Sequence, residues 1–222
     1  CINSMKSDYE DDLIRVISKS PIAIKNFESL EEFFKFIKHY NISIEYKNDF
    51  FSKIISKTKD FSWVDIESEY YRSLLSLYKD LEINYASNFH TENNEKLNKL
   101  NFCFEQIKIS LIEYLSTIKI KDVPKINEIE EHFKSIFPNN NKKNYERVLI
   151  LNFNYTSTLD IYSDIVNNNN NNPIINIHGN LNDSKKIIFG YGDEADIYYS
   201  KIERLNNNEY LKYFKSFGYS LD

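Results

Sequence analysis

Only four glycines and four prolines punctuate 222 residues. These are the residues that stop helices and shape tight turns. A chain so poor in them favours long helices over a turn-rich, all-β fold. The glycines are also unevenly placed: Gly179, Gly190 and Gly192 lie close together, and Gly218 stands near the end. Glycine is used where backbone takes unusual dihedrals or approaches another group closely. Whatever site this chain builds is therefore expected in the region of 179–192.

Composition sets outer limits. A hydrophobic fraction of 41% supports a core in one generous domain, or one domain with a large insertion. The longest uncharged apolar runs, such as Val148-Leu149-Ile150-Leu151, fall far short of the roughly 18–20 residues a membrane-spanning helix needs. The opening CINSMKSDYE lacks the apolar centre of a signal peptide. A net charge of -5 gives no global basic footprint for nucleic acid. The basic pairs Lys142-Lys143 and Lys185-Lys186 read as solvated loops. The two cysteines, Cys1 and Cys103, form no metal-ligand pattern and fit a reducing, cytoplasmic setting. No metal, nucleic acid or membrane partner is expected.

Residues 1–144 read as a helical portion, an insertion or cap, with 1–138 predominantly helical and packed over a small sheet. Residues 9–18, with Leu13, Ile14, Val16 and Ile17 among charges, are read with it. Ser29-Leu30-Glu31-Glu32 is a capping box before Phe33, Phe34, Phe36, Ile37 and Tyr40 at helical spacing. Residues 47–57 give a short helix. Ser62 caps the next, with Asp65 and Glu67 near its positive start and Tyr70, Leu74, Leu77 and Tyr78 in its stripe. A long helix spans about 94–119, with Leu97, Leu100, Phe104 and Ile107 inward, and 126–137 gives one more before Pro138.

The character changes near 145, and 145–222 reads as a Rossmann-like α/β portion. Residues 147–153 form an apolar run whose continuity predicts a strand buried on both faces of a parallel sheet. Thr156 to Val166 reads as a helix, the six asparagines Asn167 to Asn172 as a surface loop, and 173–177 as a second, parallel strand. Lys186 to Phe189 is expected as a third strand, and 194–217 as helix.

Ligands bind at the carboxyl ends of parallel strands. Here those ends read Asn154-Tyr155-Thr156, His178-Gly179-Asn180 and Gly190-Tyr191-Gly192-Asp193. Asn154 offers an amide suited to sugar hydroxyls. The Thr156 and Ser157 amides at a helix start suit an anion. His178 can accept a proton near neutral pH. Asn154 and His178 are expected to face one cleft, rimmed by Gly190-Tyr191-Gly192. Trp63, Asp65 and Glu67 form a second candidate group, with Trp63 and Glu67 one helical turn apart.

The strings Leu151-Asn152-Phe153-Asn154-Tyr155-Thr156-Ser157-Thr158-Leu159, Ile177-His178-Gly179 and Ile187-Ile188-Phe189-Gly190 resemble the AbiH family of bacterial proteins linked to abortive infection, a form of phage defence. Trp63-Val64-Asp65-Ile66-Glu67 with Tyr70-Tyr71, and Lys215-Ser216-Phe217-Gly218-Tyr219, resemble further AbiH segments. The family is distantly similar to sirtuin-like domains that bind NAD in a Rossmann-type fold. That likeness implies Asn154 as a ribose contact and His178 as base. It implies NAD or a related nucleotide at Asn154, Tyr155, Thr156, Ser157, Gly179, Gly190 and Gly192. Thr156 stands where the sirtuin-like turn has an acidic residue, and no four-cysteine zinc module is present, which disfavours deacetylation. The family's usual opening strand and Gly-Asn-Gly-Phe-Asp type loop are not in this sequence, so the chain is expected to be partial at both ends. The resemblance implies an NAD-consuming hydrolase. A non-catalytic nucleotide- or signal-binding module and a helical interaction scaffold stay open, as do a phage-derived trigger protein and a homo-oligomer as partners.

Overall fold

The structure is a computed structural model that describes residues 8–10, 14–17, 30–60, 65–83, 87–120, 123–137, 148–166, 172–193 and 195–219. The capping serines at 29 and 62, Trp63, Pro138, the 139–144 loop and Asn167 to Asn171 lie outside the described residues. The chain divides into two compact units. One comprises residues 1–107 with 190–222, the other residues 108–189.

The first unit opens with strand rather than helix. β1 (Asp8–Glu10), β2 (Ile14–Ile17) and β3 (Ser43–Tyr46) form a three-stranded antiparallel sheet with Val16 opposite both Tyr9 and Ile44. The expectation of helix over 9–18 is corrected on that point. Ile14, Val16 and Ile17 are β-branched and alternate with Arg15, a pattern that pairs well in a ladder once a partner strand is available.

The helices that follow track the apolar spacing. They are α1 (Leu30–His39), α2 (Asp49–Asp60), α3 (Ile66–Ile83) and α4 (Ser87–Ser116), the last running on into the second unit. After Gly190 the chain returns to the first unit with α7 (Ile197–Glu203), α8 (Asn208–Leu211) and α9 (Lys215–Gly218). The core explains the aromatic content. Tyr70, Leu74, Leu97, Phe104, Ile202, Tyr210 and Phe214 are almost fully buried. The Tyr70 and Phe104 rings stand 4.2 Å apart, with Tyr213 against both. A buried tyrosine hydroxyl usually finds a hydrogen-bond partner. Tyr70 donates to Asn101 Oδ1 at 2.7 Å, and Tyr210 donates to Asn93 Oδ1 at 2.7 Å. Asn101 and Asn93 then donate to the Glu209 and Leu77 carbonyls. Tyr213 donates to Glu105 Oε2 at 2.6 Å. Two buried asparagines on α4 thus let a tyrosine-rich core close.

The second unit holds α5 (Asn127–Ile136), β4 (Ile150–Asn152), α6 (Ser163–Val166) and β5 (Ile174–Asn176). β4 and β5 pair in parallel, Ile150 opposite Ile174 and Asn152 opposite Asn176, as the crossover length predicts. Two parts of the sequence reading are corrected. Residues 181–186 form 3-10 turns kinked at Asp183, and Ile187 to Phe189 takes no regular secondary structure and does not join the sheet, so no third strand forms there. Burial on both faces is also absent: Leu149, Leu151 and Phe153 are about half exposed, as is Ile175. A parallel strand is buried on both sides only where layers cover both faces. This sheet has two strands, each an edge, and its 149/151/153 face is open. The result is a mostly helical chain with a small parallel sheet. No described helix is long and apolar enough to cross a membrane.

Candidate functional site

In the second unit the two strand ends are tied together through backbone and rings. The Ile177 amide donates to the Asn152 carbonyl at 2.9 Å, extending the ladder past β5. Asn152 Nδ2 donates to Asn176 Oδ1 at 2.8 Å across the strands, and Asn152 Oδ1 accepts the Asn154 amide at 3.1 Å. His178 sits half-buried between the rings of Phe153, at 5.6 Å, and Tyr155, at 6.2 Å. The structure therefore brings His178 against the residues on either side of Asn154, which is itself exposed.

The returning chain locks this arrangement. Ile188 N donates to the His178 carbonyl at 3.0 Å, Leu181 N to the Tyr155 carbonyl at 3.0 Å, and the Tyr155 hydroxyl to the Ile188 carbonyl at 3.1 Å. Gly179 makes the turn possible. Its φ is +75°, in the left-handed region, and a Cβ there would stand 2.3 Å from the Lys186 carbonyl oxygen. Asn180 then starts the 3-10 helix by accepting the Asn182 amide at 2.9 Å.

The helix start expected at Thr156 or Ser157 is corrected by one or two residues. The helical segment starts at Thr158, as a five-residue 3-10 helix, and Ser157 caps it by position without a side-chain hydrogen bond. Thr156 instead exchanges a 2.6 Å hydroxyl contact with Thr158.

The remaining candidates meet in the first unit. Asp65 caps α3: its carboxylate accepts the Ser68 amide at 3.0 Å and the Ser68 hydroxyl at 2.7 Å. Partial burial works against its charge, but these bonds and the Lys215 ammonium prevail and lower its pKa. Glu67 splits its two oxygens. Oε1 accepts the Gly190 amide at 2.9 Å, and Oε2 pairs with Lys215 Nζ at 2.8 Å. Tyr191 is bridged to the 213–215 segment: its amide donates to the Tyr213 carbonyl at 2.9 Å, and its carbonyl accepts the Lys215 amide at 2.8 Å. Its ring stacks flat on Tyr71 at 3.7 Å. Gly190 is buried, and a Cβ there would stand 2.0 Å from the Tyr213 carbonyl oxygen. Gly192 is exposed and would meet only the Lys215 side chain.

Sequence reasoning named Glu67 and Gly190 but not that one carboxylate joins Gly190 to Lys215. The available signal was the placement of Glu67 and Tyr71 four residues apart, on one face of α3. Tyr71 carries an unusual feature. Burial, and then the neighbouring Asp196 carboxylate, push its pKa well above the ordinary value. Among the described residues the buried hydroxyl makes no hydrogen bond. Cys103 is buried on α4, and desolvation pushes its thiol up to about 11, which makes it inert at neutral pH. Among the described residues no group of three or more His, Cys, Asp or Glu is placed to hold a metal ion.

The motif strings that form these two places are matched by a family model. The model described as Bacteriophage abortive infection AbiH covers residues 25–218. The chain belongs to the AbiH family. No curated protein and no solved structure matches it. Both sites of this AbiH chain fall inside the matched span. That span includes the strand ends at 154 and 178, the Glu67–Gly190–Lys215 junction and the described helices.

Proposed function

We propose that this AbiH chain acts in abortive infection by binding NAD or a related nucleotide at the strand ends of its second unit. His178 serves there as proton acceptor. The observation that supports the reading is the seating of His178, at the end of β5, between the rings that flank Asn154 at the end of β4. Asn154 is exposed and carries both a donor and an acceptor for ribose hydroxyls. His178 takes a proton from a ribose hydroxyl as the bond between C1′ and the nicotinamide nitrogen breaks. Water supplies the oxygen that replaces nicotinamide, and the proton leaves to solvent. The Gly179 turn lets the chain return so that Ile188 N bonds the His178 carbonyl.

The test is NAD depletion by the purified full-length protein, with His178→Ala beside it. The expected outcome is turnover that falls at least about 10²-fold in the variant, as for a lost general base, with an unchanged circular dichroism spectrum. Equal turnover in both proteins refutes the assignment. Binding of NAD without depletion in the unaltered protein assigns a sensing module at the same strand ends.

A further inference from the structure

A cavity of about 360 Å³ opens among α2, α3 and α4 in the first unit, and its lining shares no residue with the places described above. Its size lies within the roughly 300–1,000 Å³ of small-molecule sites. Each helix contributes one face at helical spacing. α2 gives Phe50 and Lys53, α3 gives Ser73, Ser76 and Leu77, and α4 gives Lys96, Lys99 and Leu100, with Lys47 entering from the turn before α2.

Four lysines therefore line one cavity in a chain whose net charge is -5. Asp49 is the single acidic residue on the lining. Lys96 is engaged by Glu92 at 2.7 Å. Lys53 and Lys99 form no ion pair among the described residues. The start of α2 is not what would hold an anion, because Asn48 already accepts the Phe50 amide at 2.7 Å and ties back to the Lys99 carbonyl at 3.2 Å. The charge comes from ammonium groups, the neutral polar contacts from the Ser73 and Ser76 hydroxyls, and the floor from buried Phe50 and Leu100. The Lys53 and Lys99 ammonium groups beside a concave, partly apolar floor favour an anion there.

We propose that this cavity binds a small molecule that carries phosphate groups on an apolar, ring-sized body. Lys53 and Lys99 contact the phosphates, and Phe50, Leu77 and Leu100 contact the body. The site is separate from the nucleotide reading of the strand ends and does not depend on it.

The test is calorimetric titration of the full-length protein with ATP, inorganic tripolyphosphate and adenosine. It is repeated on Lys53→Gln, Lys99→Gln and the double variant, with circular dichroism as the control of fold. ATP is expected to bind, to weaken as salt rises, and to weaken at least about tenfold in the double variant, with adenosine and tripolyphosphate both weaker than ATP. NAD depletion, where present, is expected to be unchanged in the lysine variants. Failure of both ATP and tripolyphosphate to bind at millimolar concentration overturns the proposal, as does equal ATP affinity in the double variant. ATP binding lost in His178→Ala but kept in the double variant places the nucleotide at the strand ends and also overturns it. Tripolyphosphate binding as tightly as ATP removes the role given to the apolar floor.

Discussion

Gly190→Ala is the sharpest test of how the first unit is held together. A Cβ at 190 would stand 2.0 Å from the Tyr213 carbonyl oxygen and 2.8 Å from its carbon, more than 1 Å inside ordinary contact. The obstacle is backbone, so no rotamer change relieves it. The chain must part at the place where Tyr191 bridges to the 213–215 segment. The carboxylate bond from Glu67 to the Gly190 amide is worth about 1.5–3 kcal/mol, and each bridge bond about 0.5–1.5 kcal/mol. The flat stack of Tyr191 on Tyr71 adds about 0.5–1.5 kcal/mol. Partial loss of that set gives a destabilisation of about 3–4 kcal/mol. Gly192→Ala is the matched control. Its Cβ meets the Lys215 side chain, at 3.0 Å from Cδ, rather than backbone, so its cost is expected below about 1 kcal/mol. Urea unfolding followed by circular dichroism and by fluorescence of the single tryptophan, Trp63, measures both variants. A cost below about 1 kcal/mol for Gly190→Ala, or equal costs at 190 and 192, refutes the close approach. Glycine at 190 would then be free to serve a ligand instead.

Tyr71→Phe removes a buried hydroxyl that has no partner, so stability is expected to stay level or rise by up to about 1–2 kcal/mol; a loss above about 1 kcal/mol in thermal unfolding shows that the hydroxyl is engaged. Glu69 is buried, and burial disfavours its charge, but Lys57 at 2.5 Å and Arg72 outweigh that and hold its pKa below the ordinary carboxylate value. The stability it supplies is therefore complete above about pH 4.5 and lost as pH falls through the lowered value. Glu69→Gln is expected to cost about 1–2 kcal/mol at pH 7. A gap from the unaltered protein that fails to narrow in unfolding curves below about pH 4 contradicts this.

The helices were legible because α3 and α4 carry their core residues at steps of three and four, and Tyr70, Leu74, Leu97 and Phe104 are buried as that spacing predicts. The parallel pairing of β4 and β5 was legible from one apolar run, a crossover of suitable length and a second run. What failed was inference from short runs to their surroundings. Ile187-Ile188-Phe189 looks like a strand in isolation. Its amides instead meet a loop: Ile188 bonds to His178, and no ladder forms. Residues 14–17 suit a strand as well as a helix, and the deciding partner at 43–46 is distant in sequence. Glycine scarcity marked positions where the backbone is constrained, but it did not separate a left-handed turn at Gly179 from a steric close approach at Gly190. The Glu67–Lys215 pair spans residues too far apart for any spacing rule to join them.

Asn172 has a consequence for how this gene can change. It is buried, its Oδ1 accepts the Val148 amide at 3.2 Å at the entry to β4, and its Nδ2 donates to the Val166 carbonyl at 2.8 Å. It is also the last of six identical residues, directly before Pro173. Runs of one residue lengthen and shorten readily when their coding repeat slips in copying. In most proteins such a change would displace an anchoring side chain. Here whichever asparagine falls before Pro173 has the same side chain, so the anchor to Val148 can be renewed as the tract lengthens. Loop closure weakens only slowly as residues are added. The tract can drift in length between generations while the register of the two strands, and the placement of His178 against Phe153 and Tyr155, stays the same.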